Sequence, residues 1–178
     1  MNIFYLSDSP SICAIQHCDA HVVKMCTEYG QILSTAHRVI DGISYVGKSV
    51  NNRNIKRWKF NDERENMIYK ATHYNHPSVK WCRESQQNYY WLYRLFIQLL
   101  AEFRFRYEKE HACVKLISYL SLAPKNIEWK PFTEPTPAMD NKYITPNDSI
   151  SSYRTYYRCE KVHLHSWKKR EIPSWILE

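Results

Sequence analysis

Apolar and polar positions recur at helical spacing along most of the chain, and this pattern predicts four helices. Pro10 and Pro77 suit the first turns of the two longest ones, where a missing N–H costs least. The four helices are predicted over about residues 10–39 (with a break early in the span), 77–108, 109–121 and 149–162. One apolar face of the first helix consists of Val22, Cys26, Tyr29 and Leu33. We therefore expect a mainly α protein whose two long helices pack together.

Two stretches between the helices lack this periodicity. Residues 43–70 are less regular and rich in basic residues, and the polar run Asn51-Asn52-Arg53-Asn54 within them is predicted to form a loop, which either contacts phosphates or is an exposed connection. Residues 122–147 hold five of the 8 prolines, which predicts an irregular Pro-rich segment on the surface. The length of 178 residues and the lack of internal repeats predict a single compact helical domain over 1–178.

A stripe of polar side chains runs beside the apolar face of the first predicted helix. Residues three or four apart share a helix face, which places His17, His21, Lys24, Glu28 and Gln31 in one row. We expect this row to line a cleft opposite the start of the second long helix. A half-buried helix whose histidines bond to their neighbours is the alternative. The side chains predicted to bind a substrate in the cleft are Lys24, Gln31, His37, Arg38, His73, His76, Trp81, Arg83, Glu84, Asn88, Tyr89 and Trp91.

Several side chains in and near this row could take part in chemistry, and each also has a purely structural interpretation. Glu28 and Glu84 are the carboxylates whose position at the edge of the core favours acid–base work, although each also has a cation nearby for a salt bridge. His17 and His21 have the spacing of a helical metal pair but lack the adjacent glutamate of HExxH sites, and we expect no metal and no cofactor. Cys18 as a nucleophile with a histidine is a weaker hypothesis.

Composition narrows the class of partner. The chain has a net charge of +7 and a pI near 9.1, which favours an anionic partner such as nucleic acid or a nucleotide. With only 3 glycines, a Rossmann or P-loop phosphate site is disfavoured. The 6 cysteines form no metal-binding or disulfide pattern, and no leader or membrane span is recognisable, so we expect a cytoplasmic protein without a membrane partner. The oligomeric state is left open.

Basic and aromatic residues alternate near the C-terminus. Cations that neutralise phosphates beside rings that stack on bases are the usual means of binding nucleic acid. The cations predicted to do so are Arg154, Arg158, Lys161, Lys168, Lys169 and Arg170. A tyrosine face packed in the core with solvated cations outside is the alternative.

Several segments resemble a family of small phage-encoded proteins, namely MNIF at the start, HCDAHVVKM, QILSTAHR and ATHYNHPSVKWCRES. More distantly, the chain resembles the pyrimidine-dimer DNA glycosylase (endonuclease V) family in its short apolar N-terminal segment, early charged helix and His-Pro helix start. That resemblance implies an all-helical fold. It also implies an α-amino group that attacks the sugar of a damaged nucleotide with help from a carboxylate. Here the amine is that of Met1, and the carboxylate is Asp19 or Glu28.

The function expected on these grounds is cleavage of an N-glycosidic bond in nucleic acid by a glycosylase/lyase-like enzyme in the host cytoplasm. Asp19 or Glu28 serves as the acid–base group or stabilises the cationic sugar, and His17 and His21 position the substrate. The alternative is a non-catalytic protein that sequesters a nucleotide or signal and so counters host defence.

Overall fold

The structure, a computed structural model, describes residues 1–177 and is mainly helical, as predicted, with 53% of residues in helices. The described residues form seven α-helices and one two-stranded antiparallel sheet. In chain order the elements are α1 (Pro10–Gln16), α2 (Asp19–Asp41), β1 (Ile43–Lys48), β2 (Asn54–Lys59), α3 (Arg64–Met67), α4 (Pro77–Glu84), α5 (Gln86–Tyr107), α6 (Ile117–Leu120) and α7 (Ser149–Glu160). Short 3₁₀ turns cover Ala112–Leu116, Asn141–Tyr143, Val162–Leu164 and Ser174–Ile176.

Both long predicted helices are interrupted. The first is split into α1 and α2 because His17 and Cys18 have extended backbones, with ψ of 135° and 162°. The second is split into α4 and α5 at Ser85, whose hydroxyl accepts the backbone N–H of Asn88 and caps α5. The start at Pro77 is confirmed, with His76 as the capping residue. The two long helices α2 and α5 pack against each other, and the predicted apolar face of α2 is fully buried.

The loop predicted at residues 51–54 falls at the turn of a hairpin, in which β1 and β2 pair from Ile43↔Lys59 to Lys48↔Asn54, and the two strands themselves were not predicted. Asn52 adopts φ of 57° in the turn. Both faces of the hairpin are mostly exposed, so the strands carry no alternation of apolar and polar residues by which they could be recognised.

The other predicted segments match more loosely. The helix predicted at 109–121 is reduced to a 3₁₀ turn and the short α6, whereas α7 lies within the predicted 149–162 and is capped by Asp148. Residues 122–147 are irregular, apart from one 3₁₀ turn. Within residues 1–177, no helix combines the length and apolarity needed to cross a membrane.

Candidate functional site

The N-terminal segment is held rigidly beside α2. Ile3, Phe4, Tyr5 and Leu6 are buried. The backbone N–H of Phe4 donates to the Tyr29 hydroxyl at 3.1 Å, and the Arg154 guanidinium donates to the Leu6 carbonyl at 3.0 Å. These bonds attach residues 4–6 to α2 and α7, and Met1 lies three residues before the first of them.

The α-amino group of Met1 lies 3.7 Å from Oε2 of Glu28, on the middle of α2. Lys24, one turn earlier on α2, places its ammonium 3.2 Å from Oε1 of the same carboxylate. The Met1 side chain is only 5% exposed although the residue as a whole is half-buried, so the exposed part of Met1 is mostly main chain. An amine and a carboxylate are therefore paired at the surface.

His76 is near enough to this pair for the charges of both partners to act on its imidazole, and the charge of His73 acts on the same ring. Burial lowers the pKa of His76, and the positive charges of the Met1 amine and of His73 lower it further, while Glu28 opposes them. His73 is exposed and has φ of 47°, a left-handed backbone that is uncommon for a residue with a side chain. We call the Met1 amine, Lys24, Glu28, His73 and His76 the amine cluster. Gln31 lies on the next turn of the same face of α2.

His17 and His21 do not line a cleft, contrary to the prediction. His17 is fully buried, donates from Nδ1 to the Cys13 carbonyl at 2.7 Å and accepts the Tyr29 hydroxyl at Nε2. His21 bonds to the Tyr157 hydroxyl at 2.8 Å and is covered by the stacked ring of Phe4. Burial lowers the pKa of His17 to about 4 and that of His21 to about 3. Both are neutral packing groups, which is the alternative stated above.

Asp19 is a structural residue and not part of the amine cluster. Its carboxylate accepts hydrogen bonds from the guanidinium of Arg106 at 2.9 Å, the hydroxyl of Ser166 at 2.7 Å and the backbone N–H of Lys168. These bonds hold the C-terminal segment against the start of α2. Of Asp19 and Glu28, the two carboxylates expected to assist the amine, only Glu28 lies beside it.

Two further predicted binding residues on α2 are also interior. His37 bonds to the Tyr89 hydroxyl at 2.8 Å, and burial lowers the pKa of His37 to about 4. Arg38 is fully buried and donates to the carboxylate of Glu65 at 2.7 Å and to the Tyr69 carbonyl. The contacts of Arg38 tie the end of α2 to the segment after the hairpin and occupy its guanidinium. His37 is tied to α5, but its Nδ1 has no hydrogen-bond partner among the described residues and the side chain borders a cavity at the end of α2.

Most of the residues predicted to form the opposite wall of the cleft, at the start of the second long helix, lie in the hydrophobic core instead. Trp81, Tyr89 and Trp91 are buried. Asn88 is buried too and links the Trp81 carbonyl to Thr133 in the Pro-rich segment. Arg83 and Glu84 end α4, whereas His76 begins it, about 12 Å away along the helix axis. Only His73 and His76 of this wall reach the amine cluster.

The predicted C-terminal cations divide into two groups. Arg170 is paired with Glu102, Lys169 with Glu108, Arg154 with the Leu6 carbonyl and Arg158 with that of Trp175. Lys161 lies over the ring of Tyr156 and Lys168 over that of Tyr107, and neither forms an ion pair with the described residues. After burial, the charges of His17, Lys161 and Lys24 lower the pKa of His21 further.

No family model matches the chain, and neither the curated proteins nor the solved structures contain a significant match. Among residues 1–177 there is also no group of three or more His, Cys, Asp or Glu placed to hold a metal ion.

The buried histidines predict a steep loss of stability in mild acid. The pKa of His17, His21 and His37 lies near 6.5 in the unfolded chain and near 4, 3 and 4 in the fold. Between these values only the unfolded chain takes up protons, so the free energy of unfolding falls as pH falls below 6.5. By pH 5 the loss reaches about 2 kcal/mol per histidine. Urea unfolding at pH 7, 6 and 5 measures it.

Replacement of an exposed histidine, His163→Ala, is the control and should leave that pH dependence unchanged. An unfolding midpoint that is equal at pH 7 and pH 5 would contradict the burial of neutral histidines.

Proposed function

We propose that this protein cleaves the N-glycosidic bond of a damaged nucleotide in DNA, with the α-amino group of Met1 as the nucleophile. The observation that carries the proposal is the 3.7 Å approach of that amine to Glu28 on a rigidly held N-terminal segment. α-Amino groups as a class lose their proton at lower pH than lysine side chains, which favours them as nucleophiles near neutral pH. The net charge of +7 supports a polyanionic substrate.

The proposed chemistry begins with attack of the neutral amine on C1′ of the sugar. The bond from C1′ to the base breaks, and its electrons leave with the base, which takes up a proton. The amine gives up its protons, the ring bond from C1′ to O4′ opens onto a protonated oxygen, and an imine forms between C1′ and the Met1 nitrogen. Elimination of the 3′ phosphate then cleaves the strand.

Each member of the amine cluster has a role in this proposal. Glu28 accepts the proton of the amine and stabilises positive charge on the sugar. Lys24 pairs with Oε1 of Glu28, so Oε2 is the oxygen that faces the Met1 amine. His76, whose lowered pKa favours the neutral form, adds no positive charge beside the resting amine and can accept a proton that the amine releases.

The alternative of nucleotide sequestration has less support. A cavity of about 420 Å³ near the end of α2 is large enough for a small ligand. Three carboxylates line it, Asp41, Asp62 and Glu63, against the cations Arg64 and Lys125. Asp62 and Asp41 already pair with Arg64, so the cavity offers a phosphate little free positive charge.

Trapping with borohydride tests the proposal. The protein is incubated with ultraviolet-irradiated duplex DNA, and separately with a duplex that carries one abasic site, in the presence of borohydride. Hydride reduces an imine at C1′ to a stable secondary amine, so we expect a covalent protein–DNA band on a denaturing gel. A protein that binds both duplexes and gives no such band would contradict the proposal.

A further inference from the structure

The hairpin formed by β1 and β2, with its turn, is a basic surface without internal charge pairing. No Asp or Glu occurs between Asp41 and Asp62. That interval holds five cations, namely Lys48, Arg53, Lys56, Arg57 and Lys59. None of the five forms an ion pair anywhere in the described chain. Its charge is therefore available to an outside partner.

The base of the hairpin is anchored firmly to the body. Trp58 and Phe60 are buried, and the Trp58 carbonyl accepts the guanidinium of Arg38 at 3.2 Å. The Phe60 N–H donates to the carboxylate of Glu65 at 2.9 Å. With its base fixed in this way, the hairpin presents its cations in a defined geometry.

Its outer part carries exposed apolar groups between the cations. Tyr45 is 46% exposed, Val46 73%, and Val50 at the turn is completely exposed. Tyr45 faces Arg57 across the strands, and Val46 faces Lys56. Tyr45, Lys48, Arg57 and Lys70 also border a hollow of about 220 Å³ beside the hairpin. The one carboxylate in its lining, Glu65, is paired with Arg38, so the three cations leave the hollow net positive, which suits a phosphate.

We infer that this hairpin is a DNA-binding ribbon that lies in a groove of duplex DNA. The inference rests on the proposed function for its choice of polyanion. Each strand spans six residues, about 20 Å, and the major groove, about 12 Å wide, admits a two-stranded ribbon. Tyr45 and Val46 are successive residues of β1 and therefore lie on opposite faces of the ribbon. The face that enters the groove brings one of them to base edges and methyl groups, while the cations along the two strands reach the phosphates on both sides.

The position of the ribbon agrees with a site of reaction at the amine cluster. The stretch of α2 from Glu28 to Asp41 is about 20 Å long, and β1 begins directly after it. At about 3.4 Å per base pair, a duplex that runs along α2 would place the ribbon about six base pairs from the reacting nucleotide. The ribbon thus holds undamaged duplex beside the lesion.

The test compares two triple variants of the full chain, each of which loses three exposed cations. The ribbon variant is Lys48→Ala, Arg53→Ala and Lys56→Ala. The control is Arg94→Ala, Lys109→Ala and Lys115→Ala, whose cations are exposed and lie outside the hairpin. Fluorescence anisotropy measures binding to an undamaged duplex of 20 base pairs between 50 and 300 mM NaCl, and melting curves check that both variants fold.

For the ribbon variant we expect at least a tenfold loss of duplex affinity at 100 mM NaCl. The slope of log affinity against log salt should fall by about 2 to 3, since each lost phosphate contact removes about 0.9. The control should stay within twofold of the unaltered protein. Equal losses in both variants, or binding of a single strand as tight as that of the duplex, would overturn the inference.

The outcome is separable from that of the proposed function. At saturating protein, the ribbon variant should still form the borohydride adduct with an abasic duplex, because the amine cluster is intact. If the unaltered protein forms no adduct while the ribbon variant alone loses duplex affinity, the glycosylase proposal fails and the ribbon stands. If adducts form and the ribbon variant binds like the control, the ribbon fails alone.

Discussion

Replacement of Glu28 by glutamine is expected to reduce the rate of imine formation by about 10²-fold or more while duplex affinity stays within a few fold. The amide keeps the size of the side chain but cannot take a proton from the Met1 amine 3.7 Å away. It also removes the negative charge that stabilises a cationic sugar. Single-turnover trapping with borohydride on an abasic duplex gives the rate, and anisotropy gives the affinity.

Glu84→Gln is the matched control for this experiment. Glu84 is the other carboxylate that the sequence pattern favoured for acid–base work, but it is exposed at the far end of α4 from the amine cluster. Its replacement should leave both the trapping rate and the affinity unchanged. A Glu28→Gln protein that traps as fast as Glu84→Gln would remove Glu28 from the mechanism.

Replacement of Arg106 by methionine is expected to destabilise the fold by about 3–5 kcal/mol, because it breaks a buried ion pair from one side. Arg106 is fully buried and donates to Glu102, Asp19 and the carbonyls of Ile15 and His17 at 2.6 to 2.9 Å. It thereby joins α1, α2 and α5 beneath the C-terminal segment. Thermal melting followed by circular dichroism should show a fall of roughly 10 °C.

Arg104→Met, two residues away, supplies the comparison. Arg104 is 73% exposed and paired with the exposed Glu110, and such surface pairs contribute at most about 1 kcal/mol. Similar melting temperatures for Arg104→Met and Arg106→Met would show that the Arg106 network does not stabilise the fold.

Features set by neighbouring residues were predictable from the sequence. The start of α4 at Pro77 follows from local capping chemistry, and the apolar face of α2 from helical spacing. The hairpin was missed because its two faces are both solvated, so the period of a strand is hidden. A break of helix at a single residue, as at Ser85, leaves the apolar period nearly unchanged and is hard to detect.

The direction in which each polar side chain points depended on distant partners. His21 and Glu28 lie on the same predicted row, yet His21 bonds to Tyr157 near the end of the chain, while Glu28 meets the Met1 amine. The interruption at Cys18 also turns His17 out of that row. Helical spacing places residues on a common face, but tertiary packing decides which of them solvent reaches.

Mapping the covalent bond in the borohydride-reduced adduct tests most directly whether the α-amino group of Met1 is the nucleophile. The intact mass first verifies a free Met1 amine in the protein used; the DNA is then digested to a nucleotide remnant and the peptides are sequenced by mass spectrometry. We expect the added mass of the nucleotide remnant on the α-nitrogen of Met1. An added mass on a lysine side chain, such as that of Lys24, or the absence of any adduct would contradict it.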